Sequence, residues 1–236
     1  MGSQGFEDRL FYSLVSGILP RFTKLNHSEM KKIYLVIFTL LSYAGYSQEK
    51  KTETPPAIFM LNVNGKEYNV TEGHELKLEG NFNSPTVSIK MADYRKFDNG
   101  VVSFNYKSSA TYQYDESPGN KTWMINGNDD VVFVFELDGR VKVDAIMEQV
   151  ITQFGKKNCK METASKKIGD KTITGKRLNI TLVGQKIVQE YYELGLNDGG
   201  THILAFQNTN KDDGTPSKDG IEEADLVCSS IKFQNH

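Results

Sequence analysis

Val131-Val132-Phe133-Val134-Phe135-Glu136-Leu137 and, after a five-residue joint, Val143-Asp144-Ala145-Ile146-Met147-Glu148-Gln149-Val150-Ile151-Thr152-Gln153-Phe154 decide the fold. The first run is rich in β-branched and aromatic residues and reads as a strand. In the second, apolar residues fall at 143, 146, 147, 150, 151 and 154, one face of a helix. Gly155 supplies its stop. The apolar stripe, Met147 and Phe154 included, is expected to lie on a sheet.

Upstream, short strands alternate with turns. Phe59–Val63 and Lys66–Val70 flank Asn64-Gly65, a hairpin signal because both residues tolerate positive φ. Further strands are expected at His74–Leu78, Thr86–Met91, Val101–Tyr106, Ala110–Tyr114 and Trp123–Ile125. Turns are marked by Asp98-Asn99-Gly100, Ser117-Pro118-Gly119 and Asn126-Gly127. Downstream, strands at Cys159–Lys167, Thr172–Val183, Lys186–Leu194 and Thr201–Gln207 are joined by hairpin-length links at Gly169-Asp170, Gly184-Gln185 and 197–200. A polar loop, Asn208 to Gly220, leads to a second helix over Ile221–Ser230, where Ile221, Ala224, Val227, Cys228 and Ile231 keep helical spacing. Links this short leave no room for repeated crossover helices. The expected fold class is α+β: an antiparallel-rich sheet packed with two helices as a sandwich, preceded by a β-hairpin region. It forms a single domain over 57–236, with the hairpin region at 57–96 and the main part at 97–236.

The N-terminal stretch carries an address. Met30-Lys31-Lys32 is a positive n-region, Ile33–Leu41 an apolar core, and Ser42/Ala44 and Gly45/Ser47 place small residues two apart for a signal peptidase. A spanning helix needs roughly 20 apolar residues, so residues 30–47 read as a cleaved signal peptide that leaves no stable membrane anchor. Residues 1–29 are an upstream extension outside the mature protein, from an upstream start or as a real extension with a short helix. Residues 48–56 are a polar, proline-ended leader. The expected location is periplasmic or secreted.

Residues 1–47 hold five of the 28 basic and three of the 30 acidic residues, so the remainder has 23 against 27, a net charge of −4. Such a balance argues against nucleic acid as a partner. Cys159 and Cys228 are the only cysteines, and in an oxidising compartment one Cys159–Cys228 disulfide is expected, with two buried free thiols as the alternative.

From Val101 onward the element order resembles the PsbP-like α+β sandwich family, over roughly residues 100–233. The opening strand Val101–Tyr106, the strand Val131–Glu136 leading to the helix Val143–Phe154, and the closing Cys228-Ser229-Ser230-Ile231-Lys232-Phe233 carry the likeness. The resemblance implies a non-catalytic accessory or binding module and transfers no site residues.

Catalytic signatures are missing from the sequence. His74 and His202 each stand alone in their strands, and no G-x-S-x-G elbow is present. Glu190 and Glu193 form a carboxylate pair without assignable roles. Tyr191 and Tyr192, adjacent in a strand, point to opposite faces, and with His202 they are the binding candidates. Asn208, Asn210 and Asp212 alternate like the opening of a calcium loop, but Gly214 comes one residue late and Asp219 stands where a bidentate Glu is usual. No cofactor is implied. The expected function is an exported, non-catalytic binding or accessory module acting on a protein or small ligand of the cell envelope. The alternatives are a structural envelope component and a hydrolase with an unrecognised site.

Overall fold

The computed structural model describes residues 54–80, 82–196, 199–211 and 213–234. The signal peptide over 30–47, the extension over 1–29, the leader as far as Glu53, Asp212 and His236 lie outside the described residues. In chain order the strands are β1 (Ile58–Val63), β2 (Lys66–Thr71), β3 (Val87–Met91), β4 (Tyr94–Asp98), β5 (Val102–Lys107), β6 (Thr111–Ser117), β7 (Asn120–Asn126) and β8 (Asp130–Leu137). Helix α1 (Val143–Phe154) follows, then β9 (Cys159–Ile168), β10 (Lys171–Leu182), β11 (Gln185–Glu193), β12 (Thr201–Thr209), α2 (Lys218–Ser230) and β13 (Lys232–Phe233).

These strands make three sheets, ordered β2-β1-β3, β13-β5-β4 and β6-β7-β8-β12-β11-β10-β9. Every pairing is antiparallel. The expected α+β balance is corrected by this count: 52% of the described residues lie in strands against 16% in helices, and the architecture is a β-sandwich. The physical reason is a second sheet with little apolar signal of its own. In β4 only Phe97 is buried, and β13 is two residues long, yet both pair with β5. The expected strand His74–Leu78 is irregular chain.

The seven-stranded sheet separates two cores. On one face Val132, Val134, Tyr192, Leu204 and Phe206 pack against Phe97, Phe104 and Tyr106 of the facing sheet and Val227 and Cys228 of α2. On the other, Val131, Phe133, Phe135, Tyr191 and Ile203 pack against Ile146, Met147 and Val150 of α1. Strand alternation explains the split, since neighbours in β8, β11 and β12 point to opposite faces. β8 and β12 are therefore apolar on both sides, as a strand covered twice must be. Gly175 in β10 permits the closest approach in this sheet: a Cβ there would meet the Tyr191 carbonyl oxygen at 2.1 Å and the Tyr192 ring at 2.7 Å.

α2 is fastened along β5. β13 reaches only Val102 and Ser103, and further along the strand two amides are taken by helix side chains. Asn105 N–H donates to Ser230 Oγ at 2.9 Å, and Lys107 N–H to the Glu223 carboxylate at 3.1 and 3.3 Å. The helix begins three residues before its apolar pattern does, at Lys218, because the Ser217 side chain accepts from Gly220 N–H and caps it. Among the described residues, no helix is long and apolar enough to cross a membrane.

Candidate functional site

Between α2 and the uncovered end of the seven-stranded sheet lies a trough of about 360 Å³. Val132, Val188 and Phe206 form its apolar floor, Arg177, Asn179, Lys166 and Glu190 one flank, and Ile221, Ala224 and Asp225 of α2 the other. The loop holding Asn210, Gly214 and Pro216 closes one end. Its size and its mix of apolar floor and fixed polar groups fall in the range of ligand sites. A larger hollow of about 460 Å³ lies at the turns flanking β7, lined by Glu116, Lys121, Glu136, Asp138 and turn residues. Pro118 is the one apolar side chain among its lining residues, so it offers a ligand less apolar contact than the trough does.

Glu190 organises the trough. It stands opposite Arg177 in the β10–β11 register and opposite Phe206 in β11–β12, which puts the three side chains on one face. Arg177 donates to its Oε1 through Nε at 2.8 Å and Nη2 at 2.5 Å. Oε2 accepts from the Tyr192 hydroxyl at 3.0 Å and pairs with Lys166 Nζ at 3.1 Å. Burial alone would push the carboxyl up, but Arg177 and Lys166 outweigh it and hold Glu190 below the usual range. Lys166 also lies 5.3 Å from the centre of the Phe206 ring, a cation–π distance. Both cations of this flank are thus engaged with the Glu190 carboxylate before any ligand arrives.

Glu223, on the α2 side of the trough, is the other perturbed acid of its lining. It is 1% exposed, and burial, aided by the negative Asp130, pushes its carboxyl up to about 7 against the opposing pull of the Lys107 amide. Both its oxygens face that amide, so the group fastens α2 to β5.

The residues singled out from the sequence fare differently. Tyr191 and Tyr192 do point to opposite faces, but both are fully buried. The Tyr191 hydroxyl donates to Gln189 Oε1 at 3.0 Å. Burial raises both phenols well above their ordinary value. Tyr192 touches the site only through Glu190. His202 is 4% exposed, opposite Glu136 in the β8–β12 register and away from the trough lining.

Asn208 and Asn210 line the trough, with their amides engaged in loop architecture. Asn208 Oδ1 accepts from Ser217 N–H at 3.1 Å, and Asn210 Nδ2 donates to the Gly214 carbonyl at 2.9 Å. Among the described residues, no group of three or more His, Cys, Asp or Glu is placed to hold a metal ion. The expected Cys159–Cys228 disulfide is corrected: both thiols are free. Cys159 packs with the α1-side core and Cys228 sits in the other, so the sheet stands between them.

Arg177, Lys166, Phe206 and Glu223 were missed as site residues by sequence reasoning. The first could have been found by counting back from the β10–β11 turn. The hairpin turns at Val183-Gly184, so Leu182 pairs with Gln185 and Arg177 with Glu190. Placing the turn at Gly184-Gln185 shifts that register and separates the pair. No family model matches the chain, and no curated protein matches it.

Proposed function

We propose that the protein is an exported, non-catalytic binding module of the cell envelope whose ligand lies in the trough beside α2. The observation that carries this reading is the trough itself, an apolar floor beside a polar flank whose charged groups, Arg177, Lys166 and Glu190, are already engaged with one another. A ligand with an apolar portion against Phe206 and Val188 and hydrogen-bonding groups toward Asn179 and Arg177 would leave the Arg177–Glu190–Lys166 cluster intact. The PsbP-like element order supports an accessory or binding role, and the pattern from Met30 to Ser47 supports export.

The hydrolase reading has one observation in its favour, the Glu223 carboxyl near 7, where a general acid or base works best. Against it, the carboxyl is almost wholly buried and both its oxygens are turned to the Lys107 amide, which ties it to β5. A purely structural envelope role has no use for a trough with an apolar floor.

The test is thermal unfolding against defined probes: a maltooligosaccharide series, tripeptides and a twelve-carbon fatty acid. One class should raise the melting temperature with concentration. Ile221→Arg, at a half-exposed position on the α2 wall, should abolish that rise. A melting temperature that none of the probes moves would contradict the proposal. So would turnover of chromogenic ester, glycoside or phosphate substrates that disappears in Glu223→Gln.

A further inference from the structure

We infer that the N-terminal half of α2 is a proton-operated wall of the trough, closed on β5 while Glu223 is protonated and lifted from it when Glu223 ionises. On the reading that the trough holds the ligand, this half-helix admits and releases it.

α2 is anchored unevenly. Its buried residues are Gly220, Glu223, Val227 and Cys228. The C-terminal half therefore sets two apolar side chains, Val227 and Cys228, into the core. There Ser230 Oγ accepts from Asn105 N–H, and the Cys228 carbonyl accepts from Gly169 N–H at 2.8 Å. The chain then runs straight into β13, which is paired with β5. The N-terminal half has a single buried side chain, the Glu223 carboxyl. That half lines the trough through Gly220, Ile221, Glu223 and Ala224. Ile221 is 47% exposed and Ala224 only partly buried. A segment with so little buried apolar area belongs to the low-stability end of a fold.

The surroundings of Glu223 favour its neutral form. β5 gives it one N–H, that of Lys107. The Lys107 ammonium is turned elsewhere, donating to the Asp219 carbonyl at 3.3 Å and pairing with Glu222 at 3.1 Å. The Tyr106 hydroxyl, also on β5, makes no hydrogen bond to it. β8 contributes Asp130, itself buried and a like charge. β9 brings Lys166 to the opposite flank, where Glu190 holds it. The trough residues of β12, Phe206, Gln207 and Asn208, carry no charge. A carboxylate so placed is short of donors, faces Asp130 and is penalised by burial, whereas in the lifted state water solvates it. Ionisation therefore draws the half-helix outward. By linkage its opening constant climbs by up to about tenfold for each pH unit between about 4.5 and 7, then levels off.

Native-state hydrogen exchange of the whole protein, in low urea and without ligand, tests this. The amides of 222–225 should exchange through an opening that low urea leaves unchanged, because it exposes little surface. Those of Val150 and Ile151 in α1 should exchange only with global unfolding. Corrected for the intrinsic rate, the opening of 222–225 should grow on the order of tenfold from pH 5 to 6.5. The rise should end where the carboxyl carbon of Glu223 titrates. Glu223→Gln, whose side chain cannot ionise, should show no rise. Amides at 222–225 as protected and as urea-sensitive as those of α1 would overturn the inference. So would a rise that persists in Glu223→Gln, or a Glu223 carboxyl that titrates in the ordinary carboxylate range. Because no ligand is present, failure of every probe to bind would count against the trough as a binding site and leave this opening to be judged by itself.

Discussion

Glu190 and Glu223 show how one sheet face treats two carboxyl groups in opposite ways. Glu190 gathers Arg177, Lys166 and Tyr192 and stays ionised. Glu223, with one amide for company, is held near 7. For Glu223 the folded state binds more protons than the unfolded chain between about pH 4.5 and 7. Its contribution to stability is therefore greatest below that window and declines as pH rises through it, by up to about 3 kcal/mol. Glu223→Gln keeps an oxygen for the Lys107 amide and removes the charge. The variant should match the wild type near pH 4.5 and exceed it near pH 8, measured by urea unfolding at both. A variant less stable than the wild type at pH 8 would show that the ionised carboxylate is the better partner.

At the scale of the element, the β10–β11 hairpin carries the Arg177–Glu190 pair and holds a residue at odds with its turn. Val183 and Gly184 have φ of 51° and 82°, the two positive values that a tight hairpin turn of this hand requires. Valine is β-branched and poorly suited to that region. Val183→Asn should stabilise the protein by about 1 kcal/mol, read as a raised urea midpoint at unchanged slope. An unchanged or lowered midpoint would mean that the half-exposed valine side chain contributes more than its backbone costs.

This turn also marks how far the sequence could be read. Helix α1 and its stop at Gly155 were legible because six apolar positions repeat at one period over three turns. The Asn64-Gly65 turn was legible because both residues adopt the positive φ that their identity suggests. Val183 conceals its turn, since nothing about valine announces positive φ. β4 escaped notice because Tyr94 and Arg95 are only half-buried and Phe97 alone enters the core. The trough was illegible for a related reason: Lys166, Arg177 and Phe206 belong to three strands, and only their register brings them together.

For the whole molecule, the seven-stranded sheet is a partition with separate chemistry on either side. α1 closes one face, while the facing sheet and α2 close most of the other and leave the trough. That partition keeps Cys159 and Cys228 apart, so denatured, unreduced protein should show two titratable thiols and no peptide linking the two positions. Loss of both thiols together with a 159–228 linked peptide would require a different arrangement of α2.

Whether the trough beside α2 receives the ligand can be read by amide chemical-shift mapping with the same three probe classes. One class should shift the amides of Val188, Glu190, Phe206, Ile221 and Asp225 together and saturably. Shifts gathered instead around Glu116, Lys121 and Asp138 at the turns flanking β7 would contradict it.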